Sequence, residues 1–97
     1  MTGCGAPASV EGVDLSKESV ISGIVRRDGA AIAGAYVRLL DVSGEFAAEM
    51  PTGESGEFRF FAAPGKWTVR TLAAGVDPVD RAVVAQQGIV AEVEVAV

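Results

Sequence analysis

From Ser19 to the last residue, apolar side chains recur at every second position in short runs. No stretch of ten residues carries the stripe of an amphipathic helix. A period of two sends successive side chains to opposite faces of a strand, so this pattern commits the chain to β structure. The end of the chain shows it most plainly. Ile89, Ala91, Val93, Val95 and Val97 fall on one side, and Glu92 and Glu94 on the other. Such a segment is expected to be a half-buried antiparallel strand with its charged face in water.

Other runs with the same character are separated by Gly, Pro, Asp and Ser clusters, at the spacing of an all-β sandwich or barrel. Strands are expected from Val20 to Arg26, Gly34 to Val42, Phe46 to Met50, Glu57 to Ala62, Trp67 to Ala73, Arg81 to Gln86 and Ile89 to Val97. Arg27-Asp28-Gly29 marks a turn, and Pro51, which has no N–H to donate, ends a strand. The expected architecture is therefore a single antiparallel β-sandwich of about seven strands over residues 18–97. Residues 1–17, rich in Gly, Ala, Pro and Ser, read as a flexible N-terminal tail.

The clearest pair is expected at Ala63-Pro64-Gly65-Lys66. Pro fixes φ there and Gly tolerates positive φ, so the segment reads as a hairpin turn. If residue 62 pairs with 67, Phe60 faces Val69 and Phe58 faces Thr71 on the side that also holds Trp67. The other side then carries Arg59 across from Arg70 and Phe61 across from Thr68. Phe58, Phe60, Trp67 and Val69 are the expected centre of the core.

Ninety-seven residues suffice for one domain, and 49% hydrophobic with 22% charged residues is ordinary for a packed one. The net charge of −5 argues against nucleic acid and against an anionic membrane surface. The N-terminus has neither a basic region nor an apolar stretch of the secretory kind, and no run approaches the roughly 18 apolar residues of a membrane span. A single cysteine forms no internal disulfide, and a cytoplasmic setting is the expectation.

The middle of the chain reads Ile21-Ser22-Gly23-Ile24-Val25, Ala33-Gly34-Ala35-Tyr36-Val37-Arg38-Leu39, Gly56-Glu57-Phe58-Arg59-Phe60 and Pro64-Gly65-Lys66-Trp67-Thr68-Val69. This resembles the carboxypeptidase regulatory-like and transthyretin-like sandwiches, and the resemblance implies that fold. A wider match includes Cys4-Gly5-Ala6, Gly44-Glu45-Phe46, Phe61-Ala62-Ala63 and Val83-Val84-Ala85-Gln86-Gln87-Gly88. Over nearly the whole chain it resembles the SseC-like family of actinobacteria, a domain of unknown function often encoded beside a rhodanese-type thiosulfate sulfurtransferase. That likeness implies an accessory role in sulfur metabolism, with a sulfurtransferase as protein partner, and supplies no mechanism.

Histidine is absent, which removes the commonest general base and nitrogen ligand, and a Cys/His zinc site cannot be built on Cys4 alone. The histidine-dependent activity of transthyretin-like hydrolases does not carry over. Nor does the Lys–Asn crosslink of related surface modules, since asparagine is absent too. No catalytic residue, metal or cofactor is expected. Cys4, in its glycine context, is the candidate sulfur-carrier thiol; no basic residue near it in sequence would lower its pKa, and an incidental exposed thiol is the other reading. Arg38, Arg59 and Arg70 form a candidate anion-binding face, against a solvated face paired with neighbouring carboxylates. Tyr36 and Phe61 form a candidate partner patch, against cover by strand edges or the tail. The acidic residues Glu45, Glu49, Glu54 and Glu57 match no calcium loop and read as a solvated edge. Replacing Phe60 with Ala is expected to cost about 3–5 kcal/mol of unfolding free energy in a urea titration, the usual cost of emptying an aromatic core site. A near-neutral result would show that Phe60 does not point inward.

Overall fold

In the computed structural model of the chain, residues 19–97 are described, and they form eight strands and no helix. These are β1 (Ser19–Arg27), β2 (Ala30–Ala31), β3 (Tyr36–Leu40), β4 (Phe46–Pro51), β5 (Glu57–Ala62), β6 (Gly65–Leu72), β7 (Val79–Ala85) and β8 (Val90–Ala96). Two sheets face each other as a sandwich. In the first, β1 lies between β8 on one side and β5, continued by the short β2, on the other. The second has the order β4-β3-β6-β7. The extra strand beyond the expected seven is β2, two residues long, joined to β1 by a two-residue turn. Asp28 and Gly29 both have positive φ there, at 53° and 84°, as the tight hairpin turn that matches strand twist requires.

Two expectations are corrected. First, Glu57–Ala62 and Gly65–Leu72 are not a hairpin. β5 pairs antiparallel with β1, setting Phe60 beside Ile21 and Phe58 beside Gly23. β6 pairs with β3 and β7, setting Val69 beside Leu39 and Arg81. The chain crosses from one sheet to the other at Ala63-Pro64, and β6 begins at Gly65 with φ of 142°, a conformation open to glycine and strained for other residues. The Trp67 indole N–H donates to the Ala63 carbonyl (2.8 Å) and fastens the corner. Secondly, β8 runs parallel to β1, not antiparallel to a neighbour, with Val20 beside Val90 and Arg26 beside Ala96. Its alternation specifies which side chains are buried, whichever way its partner runs.

The core lies between the sheets. Ile21, Val25, Phe58, Phe60 and Val95 come from the first sheet, and Val37, Leu39, Val69 and Ala85 from the second. Phe58 and Phe60 are tilted to each other with ring centroids 6.0 Å apart. Three of the four expected central residues are buried; Trp67 is half-buried and packs against the core from its rim. Thr52 is a buried polar residue with every hydrogen bond made. Its hydroxyl accepts from the Ala35 N–H (3.0 Å) and donates to the Ile32 carbonyl (2.6 Å), pinning the loop before β3 to the end of β4.

Gly23, in the middle of β1, faces the core with the Phe58 ring laid over it. A Cβ there would sit 2.5 Å from Phe58 Cζ and against the Val93 carbonyl oxygen. The carbonyl belongs to backbone in a paired strand and cannot give way cheaply. Gly23→Ala is therefore expected to cost about 1–3 kcal/mol, the range for overpacking, read as a lowered urea midpoint.

Candidate functional site

Cys4 lies outside the described residues. The structure separates the three arginines. Arg38 and Arg70 are direct cross-strand partners on the outer face of the second sheet. Arg59 belongs to β5 and lies on the outer face of the first sheet, on the far side of the sandwich. The expected common face depended on a β5–β6 hairpin, and it disappears with that hairpin.

Arg38 and Arg70 sit in a row that crosses all four strands of their sheet. From β4 to β7 it reads Glu49, Arg38, Arg70, Asp80. Arg38 Nε donates to Glu49 Oε2 at 2.8 Å. Arg70 binds Asp80 through two parallel bonds, Nε to Oδ1 at 2.8 Å and Nη2 to Oδ2 at 3.0 Å. Like charges on directly opposed positions repel. Here each guanidinium has a carboxylate on its outer flank, so the central pair of cations is neutralised from both sides. The paired Arg70 guanidinium holds the Asp80 carboxyl below its ordinary pKa, chiefly through the hydrogen bonds. Arg70 is raised by the same contact. An incoming anion would have to displace these partners.

Tyr36 and Phe61 do not form one patch either. Each is 51% exposed, but Tyr36 stands between Pro51 and Leu72 on the second sheet and Phe61 stands beside Val20 on the first. The Arg59 guanidinium lies over the Phe61 ring, 5.4 Å from its centroid, a cation–π contact. The Arg59 backbone N–H, on the open edge of β5, points to Met50 Sδ at 3.3 Å. On the same outer face, Ser22, Ile24, Glu57, Glu92 and Glu94 line an open groove of about 560 Å³.

Among the described residues, no group of three or more His, Cys, Asp or Glu side chains is placed to hold a metal ion. The Asp41 carboxylate is committed locally: its Oδ1 accepts from the Ser43 hydroxyl (2.7 Å), the Ser43 N–H (2.9 Å) and the Glu45 N–H (2.9 Å). These bonds, the hydroxyl's first, lower its pKa and shape the β3–β4 turn. No helix among the described residues is long and apolar enough to cross a membrane.

Sequence reasoning missed the outer side of β1. Val20 and Ser22 alternate with the core residues Ile21 and Val25, yet both are buried, Val20 completely. The signal was legible: in Ser19–Arg27 both alternating sets contain apolar residues, as in a strand covered on two faces.

These faces and strands define a β-sandwich module with one paired charge row. The chain belongs to the protein family of unknown function DUF1416, whose model matches residues 4–97. Two uncharacterized proteins of Mycobacterium tuberculosis (strain ATCC 25618 / H37Rv), Rv0814c and Rv3118, are each 59% identical to it over 69 residues, 70% of this chain and 66% of theirs. An uncharacterized protein of Mycolicibacterium smegmatis is 59% identical over 64 residues, 65% of this chain and 71% of its own. The chain thus spans about two thirds of the length of these actinobacterial relatives. Among solved structures, the major pilin subunit BcpA of Bacillus cereus superposes with a TM-score of 0.65 at 20% identity, over 84% of this chain and 28% of that one. The dioxygenase domain of a dioxygenase carbohydrate-binding protein fusion from Streptomyces sp. SirexAA-E gives 0.64 at 12% identity, over 93% and 86%. Both share the β-sandwich fold.

The lowered Asp80 pKa has a sign that acid can test. Below its unfolded value of about 3.9, the unfolded chain begins to take up a proton that the folded, paired carboxylate still refuses. The stability it contributes is thus complete above that pH and is lost as pH falls through the lower folded value. The stability gap between the wild type and Asp80→Asn is expected to be positive and small at pH 7 and to close on acidification, as measured by urea midpoints. A gap that widens in acid would refute the pairing.

Proposed function

We propose that this chain is a non-catalytic accessory protein of sulfur metabolism, which accepts or presents sulfur on Cys4 in contact with a rhodanese-type sulfurtransferase. The observation that carries this reading is how the charged groups of the sandwich are spent. Arg38 is held by Glu49, Arg70 by Asp80 and Arg26 by Glu94 (3.2 Å). The sequence has no histidine, so the frame has no general base of that kind to offer. The sole thiol is then the place where sulfur chemistry has a nucleophile. The resemblance to the SseC-like family supports a sulfurtransferase as partner, and the net charge of −5 favours a protein over nucleic acid or a membrane surface. A reducing, cytoplasmic setting keeps the thiol free.

The step is a thiol–persulfide exchange. The Cys4 thiolate attacks the outer sulfur of the enzyme's persulfide, a new S–S bond forms at Cys4, the enzyme's S–S bond breaks, and its cysteine leaves as thiolate. The second reading is a plain protein-binding scaffold without thiol chemistry, docking through Tyr36 or Phe61; the half-exposed rings favour it. Intact-mass measurement after incubation with thiosulfate and a rhodanese-type sulfurtransferase separates the two. The wild type is expected to gain one sulfur atom and Cys4→Ser none. A wild type that stays unmodified overturns the carrier reading and leaves the scaffold.

A further inference from the structure

On each flank of the sandwich, a side chain from an edge strand of the second sheet reaches the backbone of an edge strand of the first. On one flank Arg81 of β7 donates from Nη2 to the Glu94 carbonyl of β8 (3.1 Å). On the other, Met50 of β4 offers its thioether to the Arg59 N–H of β5 (3.3 Å). Both contacts fall on backbone groups turned away from the sheet. In β5 the even-numbered residues direct their N–H and C=O groups toward β1, in line with the bond from the Val25 N–H to the Gly56 carbonyl, so Glu57, Arg59 and Phe61 present theirs to the open edge. The Glu57 carbonyl is taken by the Gly53 N–H (3.0 Å) and the Arg59 N–H by Met50. These two contacts blunt an edge that would otherwise offer a run of unpaired groups to another strand.

The two flanks differ in chemistry. A guanidinium bonded to a carbonyl is indifferent to oxidants; a thioether is not. Met50 is the one methionine among the described residues, half-buried, with the exposed Glu49 and Pro51 on either side of it. Its side chain does two things at once: it packs against the core from the rim and it accepts the Arg59 N–H.

We propose that Met50 is a site of oxidation by peroxides, and that its sulfoxide releases the β5 edge. A sulfur lone pair attacks one peroxide oxygen. The S–O bond forms as the O–O bond breaks, and the other oxygen leaves as hydroxide, which takes the proton of the transferred oxygen and becomes water. The sulfur is oxidised by two electrons and the peroxide is reduced by the same two. The product is polar and chiral, and does not keep the thioether's place against apolar neighbours. The side chain leaves the core rim for water, and the Arg59 N–H loses its acceptor. The unpaired run on β5 then extends from Phe61 back to Arg59. The site stands whether or not Cys4 carries sulfur.

The test uses the full chain with Cys4→Ser, so that peroxide is not spent on the thiol. Hydrogen peroxide is expected to add one oxygen atom at Met50, located by peptide mass mapping. Amide exchange followed in 15N spectra is then expected to be about fivefold faster at Arg59, the loss of roughly one hydrogen bond, while Val83 and Val95, on the opposite flank, keep their rates. Met50→Leu in the same chain retains an apolar side chain of similar volume and has no acceptor. Its Arg59 amide is expected to exchange at the faster rate from the start and to ignore peroxide. Met50 left unmodified while free methionine in the same solution is oxidised would overturn the proposal. So would an Arg59 rate unmoved by oxidation, equal Arg59 rates in the reduced parent chain and in Met50→Leu, a peroxide response that persists in Met50→Leu, or a uniform acceleration of all amides, which is plain unfolding.

Discussion

Ser19–Arg27 forms hydrogen bonds along both edges, antiparallel to β5 and parallel to β8, and it is buried on both faces for most of its length. Every other strand is positioned by this one or lies opposite it. Its inner set, Ile21, Gly23 and Val25, fixes where Phe58 and Phe60 stand, since β5 registers on it residue by residue. Those rings in turn set the spacing to Val37, Leu39 and Val69 in the facing sheet. The absence of a side chain at Gly23 is what admits the Phe58 ring, so one position in the central strand controls the packing of the largest core group.

Much of the fold was legible in period-two alternation. Seven of the eight strands and the inward side of Phe58, Phe60, Val69 and Val95 follow from it, because burial of one face leaves a mark at each second residue. What alternation does not contain is the identity of a strand's neighbour. Pro64 and Gly65 have the dihedral requirements of a hairpin turn, and an inter-sheet corner makes the same demand, with Gly65 at a φ of 142°. The two alternatives differ only in which long-range partner completes the ladder, and Ile21 for Phe60 is a partner 39 positions away. The direction of β8 escaped for the same reason.

The candidate site followed the topology. Once β5 left β6, Arg59 and Phe61 moved to one outer face while Arg38, Arg70 and Tyr36 stayed on the other. Sequence proximity of Glu49 to Arg38 was the visible hint that the arginines were paired. The Asp80 partner came from a strand whose register no local pattern specifies. The outer side of β1 is the more informative surface. It carries the half-buried Arg59, whose guanidinium lies over the Phe61 ring, and an acidic rim at Glu57, Glu92 and Glu94.

The parallel ladder between β1 and β8 joins positions 70 apart, Val20 with Val90, and binds the last residue back to the end of the first strand through the Val97 N–H and the Arg26 carbonyl at 2.8 Å. Of the eight strands β8 comes last in the chain, so the central strand of the first sheet waits for it through the making of all the others with one edge unsatisfied. Closing so long a loop costs entropy before any contact repays it, which places this chain among the slower folders for its size. Truncation by even a few C-terminal residues would therefore leave an open β1 edge, the geometry from which strand-to-strand aggregation starts.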